Sequence, residues 1–323
     1  MKITKEMINP ELRFMGTMMR RVWPCFTAKR DRLSNRVLDA FTEGKAFTLK
    51  ADYDQIYIPR PDGSKLRLCI YMPKEHTGIA PGLLWIHGGG YSIGTPEQDF
   101  MFIERAIEAA GCVVIAPDYA RSLEAVYPAA LDDCYLTLMW MKAHCKDYGI
   151  RPDQLFVGGD SAGGGLTAAL CMYARDKKEA SIAFQMPLYP MMDDRMQTAS
   201  SQDNDAPVWN TKSNEIAWEL YLGDLYKTDR VPKYAAPGRE TDYAGLPPAL
   251  TFVGTIDPFR DETVQYMENL RAAGVEAKYE LFEGCFHGFD CLCAWTDIAK
   301  RANRFAMDGL RHAAQTHFKP QPE

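Results

Sequence analysis

Nowhere does the chain string together the ~20 apolar residues that a membrane-spanning helix requires, and residues 1–10 are too polar for a secretion signal. The expected location is the cytoplasm. Basic residues are outnumbered, 37 against 43 acidic ones for a net charge of −6, and no basic cluster exceeds pairs such as Arg20-Arg21. That balance argues against nucleic acid or a membrane as partner and leaves a small molecule. The nine cysteines form neither Cys-x-x-Cys pairs nor metal-ligand spacing, so they read as reduced, buried small hydrophobes with no metal implied. Internal repeats and low-complexity tracts are missing as well.

What the chain does have is core material. Hydrophobic residues make up 46% and charged ones 25% of 323 residues, the balance of a globular protein. The length prior suggests two domains, yet a large α/β fold runs this long as one sheet with an inserted cap. Residues 1–48 carry an amphipathic helical pattern, with Met15, Met18, Met19, Val22, Trp23 and Phe26 as apolar contacts. Alternation over 54–58 and 66–71 around Pro61-Asp62-Gly63-Ser64 predicts an antiparallel hairpin. Apolar runs at 83–86, 113–116, 155–157, 184–189, 249–253 and 278–282 then alternate with helical stretches, which predicts buried parallel strands with helices on both faces. Residues 193–245 break that rhythm and carry an aromatic helix candidate at 213–222, so they read as an insertion. The expected division is a cap segment at 1–48, a catalytic domain at 49–192 and 246–323, and an inserted cap segment at 193–245.

Three motifs carry chemistry. Gly159-Asp160-Ser161-Ala162-Gly163 follows the apolar run at 155–157 and opens a small-residue helix, the placement of a nucleophile elbow. Such a corner exposes a serine oxygen that is otherwise a poor nucleophile. His87-Gly88-Gly89-Gly90 follows the run at 83–86, and three glycines let backbone N–H groups converge on a developing oxyanion. No Lys-Ser/Thr follows them and neither glycine run matches G-x-G-x-x-G, which sets the nucleotide reading aside. Of six histidines, His287 alone lies in a Gly-flanked loop after a late strand, whereas His76, His144, His312 and His317 occupy a loop, a helix and the terminus. For the orienting acid Asp257 lies between Ser161 and His287, in the order Ser, Asp, His. Asp193, Asp261, Glu262 and Asp290 are its rivals, and Asp257-Pro258 is also a helix start with Asp as cap.

Together, the His-Gly-Gly-Gly run, Gly159-Asp160-Ser161-Ala162-Gly163-Gly164, Asp257-Pro258 with Arg260-Asp261-Glu262, and His287-Gly288-Phe289 resemble the hormone-sensitive-lipase-like esterases of the α/β-hydrolase superfamily. The resemblance spans roughly residues 66–310. It implies an α/β-hydrolase fold with a mostly parallel eight-stranded sheet and a helical cap. It also implies Ser161 as nucleophile, His287 as base, Asp257 as acid, and an oxyanion hole from Gly88, Gly89, Gly90 and Ala162, with Gly88 shaping the turn. Residues 118–124 depart from the family's Asp-Tyr-Arg-Leu-Ala-Pro-Glu in their middle, before Tyr127-Pro128-Ala129-Ala130 resumes it.

The expected substrate is a short-chain ester, acetyl to hexanoyl, with Tyr91, Asp160, Trp209 and Trp218 as binding residues and no cofactor. Asp193 and Asp194 read as solvated turn residues, with contact to the alcohol group as the alternative. An amidase or peptidase using the same triad, and an inactive small-molecule receptor on the same scaffold, are the competing readings. A homodimer is left open.

Overall fold

The computed structural model describes residues 2–45, 47–48, 50–74 and 78–322; His76 lies outside them. The hairpin is there as β1 (Ala51–Pro59) and β2 (Lys65–Pro73), antiparallel with Ile56 opposite Leu68 and Ile58 opposite Leu66. β3 (Ala80–Ile86), β4 (Val113–Pro117), β5 (Ile150–Asp160), β6 (Phe184–Leu188), β7 (Ala249–Gly254) and β8 (Ala277–Phe282) complete one eight-stranded sheet in the order β1-β2-β4-β3-β5-β6-β7-β8. From β4 to β8 every pairing is parallel. β5 begins five residues earlier than its apolar run, because Ile150 pairs with Ala80 before an irregularity brings Leu155 opposite Gly82.

The short apolar runs are strands because both faces of the sheet are covered. Leu84, Ile86, Val113 and Ile115 point into one core, while Leu83, Trp85, Val114 and Ala116 point into the other. The helices are α1 (Arg13–Val22), α2 (Ala28–Thr42), α3 (Phe100–Ala110), α4 (Ala129–Ala143), α5 (Ala162–Lys177), α6 (Thr211–Leu222), α7 (Arg260–Ala272), α8 (Phe289–Leu292) and α9 (Asp297–Thr316). α4, α5 and α7 line the first core through Leu138, Leu166 and Leu270. α3 and α9 line the second through Ile103, Ala106, Ala302 and Leu310. No helix among the described residues is long and apolar enough to cross a membrane.

The N-terminal stretch forms two α-helices, broken at 23–27, where the Thr27 hydroxyl accepts from Arg30 N and starts α2. Both helices are bonded to other parts of the chain. Arg20 Nη2 donates to the Asp205 carbonyl (2.9 Å), Asn210 Nδ2 to Pro24 O (2.8 Å), and Phe26 N to Ser213 Oγ (3.2 Å). These bonds tie the N-terminal segment to the 193–245 stretch.

Candidate active site

Ser161 sits between the end of β5 and the start of α5 with φ 55° and ψ −118°, a conformation that side-chain-bearing residues rarely adopt. The corner is held from both sides. Ser161 N donates to Leu188 O (2.9 Å), and its carbonyl accepts from Gly165 N (3.0 Å) and Met191 N (2.9 Å). Gly163 is required because a Cβ there would stand 2.0 Å from Ile86 O and 2.6 Å from His87 O. Only a glycine lets α5 begin so close to the end of β3.

Adjacent strands bring the remaining motifs to the same edge. β3 pairs directly with β5, so the glycine run that follows it opens beside Ser161, while the loops after β7 and β8 carry Asp257 and His287. His287 Nε2 lies 2.7 Å from Ser161 Oγ, and Nδ1 lies 2.8 Å from Asp257 Oδ2. All three residues are buried, at 4%, 1% and 5% exposed for Ser161, Asp257 and His287. The other Asp257 oxygen accepts from Phe259 N (2.9 Å). Asp257 therefore caps the approach to a helix that begins at Arg260, two residues later than the Asp-Pro signal suggested.

The rival acids are engaged elsewhere. Asp193 binds Arg195 through both oxygens (2.8 and 2.7 Å), and Asp194 binds Arg239 likewise (2.7 and 2.8 Å). Both aspartates are buried in these ion pairs, which corrects the expectation that they are solvated turn residues. Asp261 accepts from Ser200 N and Glu262 from Met192 N, so both brace the loop after β6. His144 stacks on Trp140, and His312 and His317 approach Glu276 with ligand atoms within 4.8 Å of one another. His317 packs on Phe184, the first residue of β6, which puts that trio at the sheet edge opposite Ser161.

The glycine run turns on Gly89, at φ 119°, whose carbonyl accepts from Ser92 N (3.1 Å) and Ile93 N (2.9 Å). Among the described residues the N–H groups of Gly89, Gly90 and Ala162 donate to no protein acceptor. His87 braces the loop from behind: it stacks on Tyr119 at 4.2 Å, and burial pushes its pKa down to about 4, which keeps it neutral. The divergent stretch at 118–124 contributes here too, because Tyr119 Oη donates to His87 O (2.9 Å) and Ser122 N to Tyr91 O (2.8 Å).

Gly88 and Asp160 face each other, for a Cβ on Gly88 would stand 2.6 Å from Asp160 Oδ2. The Asp160 carboxyl thus lies against the start of the glycine loop. It belongs to a carboxyl cluster with Asp99 and Asp290. Desolvation raises all three, Asp290 to about 6, and mutual repulsion adds to the shift of Asp99 and Asp160. Trp85 Nε1 donates to Asp99 Oδ2 (2.8 Å).

An aromatic roof covers the site. Trp209 lies on the glycine loop, with Cη2 2.4 Å from where a Gly90 Cβ would be, 5.9 Å from the His287 ring and 4.5 Å from Phe26. Tyr91 stacks on Tyr221 at 3.9 Å and meets Trp218 at 5.6 Å. Sequence reasoning missed Asn214, which is fully buried beside these rings, and Asp31 and Asn35 of α2. Ser92 Oγ donates to Asp31 Oδ2 (2.8 Å), Asn35 Nδ2 donates to Ser92 O (2.8 Å), and Gly94 N donates to Asn35 Oδ1 (3.3 Å). Polar residues at four-residue spacing on a helix were the available signal.

Comparison with known proteins agrees with this geometry. A family model described as alpha/beta hydrolase fold matches residues 83–291. The esterase LipI of Mycobacterium tuberculosis is 32% identical over 233 residues, 72% of each chain, and the carboxylesterase NlhH of the same organism is 32% identical over 249 residues, 76% of this chain and 77% of that one. Among solved structures, a bacterial heroin esterase superposes with a TM-score of 0.87 at 32% identity, covering 97% of this chain and 99% of that one. With sheet order, elbow and relatives in agreement, the chain belongs to the α/β-hydrolase fold family, among its hormone-sensitive-lipase-like members.

Proposed function

We propose that this carboxylic ester hydrolase acts on short-chain acyl esters, acetyl to hexanoyl, through Ser161, His287 and Asp257 and an acyl-enzyme intermediate. The observation that carries the reading is the pair of contacts made by one imidazole, 2.7 Å to a strained serine and 2.8 Å to a carboxylate. In the first step Ser161 Oγ attacks the ester carbonyl as His287 Nε2 takes its proton. The carbonyl oxygen becomes an oxyanion and accepts from the N–H groups of Gly89, Gly90 and Ala162. Collapse of the tetrahedral intermediate breaks the C–O bond to the alcohol, which leaves with the proton from His287. Water then repeats the sequence on the acyl-serine. Asp257 holds the imidazole with Nδ1–H toward it and stabilises the imidazolium.

The roof supports the short acyl range: Trp209 packs on Gly90 and Tyr91 stacks on Tyr221, beside the glycine loop. In this reading residues 1–48 and 193–245 together form the cap. The test is a p-nitrophenyl ester series from acetate to decanoate. Highest kcat/KM at or below hexanoate supports the proposal, and rates climbing steadily past decanoate reject it. A p-nitroanilide in the same series addresses the amidase reading, which predicts comparable anilide turnover.

A further inference from the structure

The roof over the serine holds more polar groups than it uses. Among the described residues, the indole Nε1 atoms of Trp23, Trp209 and Trp218 and both amide atoms of Asn214 are buried with no hydrogen-bond partner. Asn214 is 0% exposed. Burying an amide with nothing to bond is unfavourable, and an apolar side chain of similar size avoids that cost. Nothing about the helix requires asparagine at this position, since Asn210, not Asn214, caps α6 by accepting from Ser213 N.

Position says what the group faces. On α6, Asn214 lies one turn before Ala217 and Trp218 and two turns before Tyr221, so it shares their face. Ala217 Cβ is 3.4 Å from where a Gly90 Cβ would be, Tyr221 stacks on Tyr91, and the neighbouring Ser213 accepts from Phe26 N. The amide of Asn214 is therefore on the helix face turned toward the oxyanion loop and the Phe26–Trp209 pair. The unpartnered set comprises indole N–H donors, the amide donors and one amide acceptor, and none of these side chains carries a charge.

We infer that Asn214, together with the Trp209 indole N–H, is a specificity-determining site for neutral, hydroxylated esters: acylated polyols or sugars whose oxygens accept from the donors and whose hydroxyl donates to Asn214 Oδ1. This assignment rests on the esterase reading above. A site built to hydrogen-bond a substrate hydroxyl discriminates against the analogue lacking it, because its own polar groups are then left unpaired.

The experiment compares glycerol monoacetate with propyl acetate, the same acetyl ester with and without two hydroxyls, on the full-length protein and on Asn214→Leu and Asn214→Ser. The wild type should prefer glycerol monoacetate by about tenfold or more in kcat/KM. Asn214→Leu should erase that ratio and Asn214→Ser should restore part of it. Because leucine removes a buried unpaired amide, Asn214→Leu should also melt at the same or a higher temperature, whereas a merely structural asparagine would lose stability. Equal wild-type rates on the two esters, an unchanged ratio in Asn214→Leu, or a clear drop in its melting temperature would overturn the assignment. Wild-type protein inert toward p-nitrophenyl acetate as well would sink the esterase reading itself, an outcome distinct from loss of the preference alone.

Discussion

His287 Nε2 stands 2.7 Å from Ser161 Oγ although 126 residues separate them in the chain. That distance is hydrogen-bonding range for a base and its nucleophile before any substrate is bound. Ser161→Ala should therefore lower kcat on p-nitrophenyl butyrate by about 10⁶-fold, and Asp257→Asn by about 10⁴-fold, with circular dichroism spectra like the wild type. Activity of Ser161→Ala near the wild-type level would remove the serine from the mechanism.

The elbow makes a stability prediction of its own. A methyl group on Gly163 would collide with two main-chain carbonyls, Ile86 O and His87 O, neither of which can rotate away as a side chain would. Gly163→Ala should cost on the order of 3 kcal/mol in urea unfolding and lower turnover as well, because the displaced His87 begins the glycine run proposed to bind the oxyanion. Gly274→Ala is a fitting contrast, since nothing lies within 4 Å of the added methyl there and the cost comes only from its φ of +77°.

Both the strand run and the three motifs were legible in the sequence, for a physical reason: a parallel sheet buried on two faces needs short continuous apolar runs, and the chemistry sits in the loops that follow them. Ser161 and His287 could be picked out by position after a strand. Asp160 could not be placed this way, because what a residue beside a nucleophile packs against depends on the neighbouring strand, and here it is Gly88 on β3's loop. Asp193 and Asp194 looked like free turn residues until Arg195 and Arg239 were seen to bind them. Asn214 stayed hidden because a polar residue on an amphipathic helix reads as solvated, and only its neighbours Ala217 and Trp218 show the face to be inward.

Asp290 predicts a pH dependence of stability. Burial raises its carboxyl to about 6, in a setting that includes Asp160, Asp99, His287, Tyr189 and Arg105. The folded state thus binds the proton more tightly than the unfolded chain, whose aspartates titrate near ~3.9. The stability linked to that proton is fully present below the unfolded value and is lost as pH rises toward 6. Urea unfolding at pH 4.5 and pH 7 should show Asp290→Asn gaining on the wild type at the higher pH. A constant difference between the two proteins would contradict the shift.

Trp209 predicts a change of substrate range. Trimming the ring that covers Gly90 opens room beside the oxyanion loop. Trp209→Phe should raise the p-nitrophenyl octanoate to acetate ratio of kcat/KM by roughly tenfold, on the scale of about two methylene contacts at about 0.8 kcal/mol each. An unchanged ratio would place the acyl chain away from this ring.

The second N-terminal helix is bonded through Asp31 and Asn35 to Ser92 and Gly94, a few residues beyond Gly89 and Gly90. The seat of α2 and the far side of the glycine run consequently share the same three hydrogen bonds, so a substitution at Asp31 or Asn35 reaches the loop beside Ser161 without touching the serine.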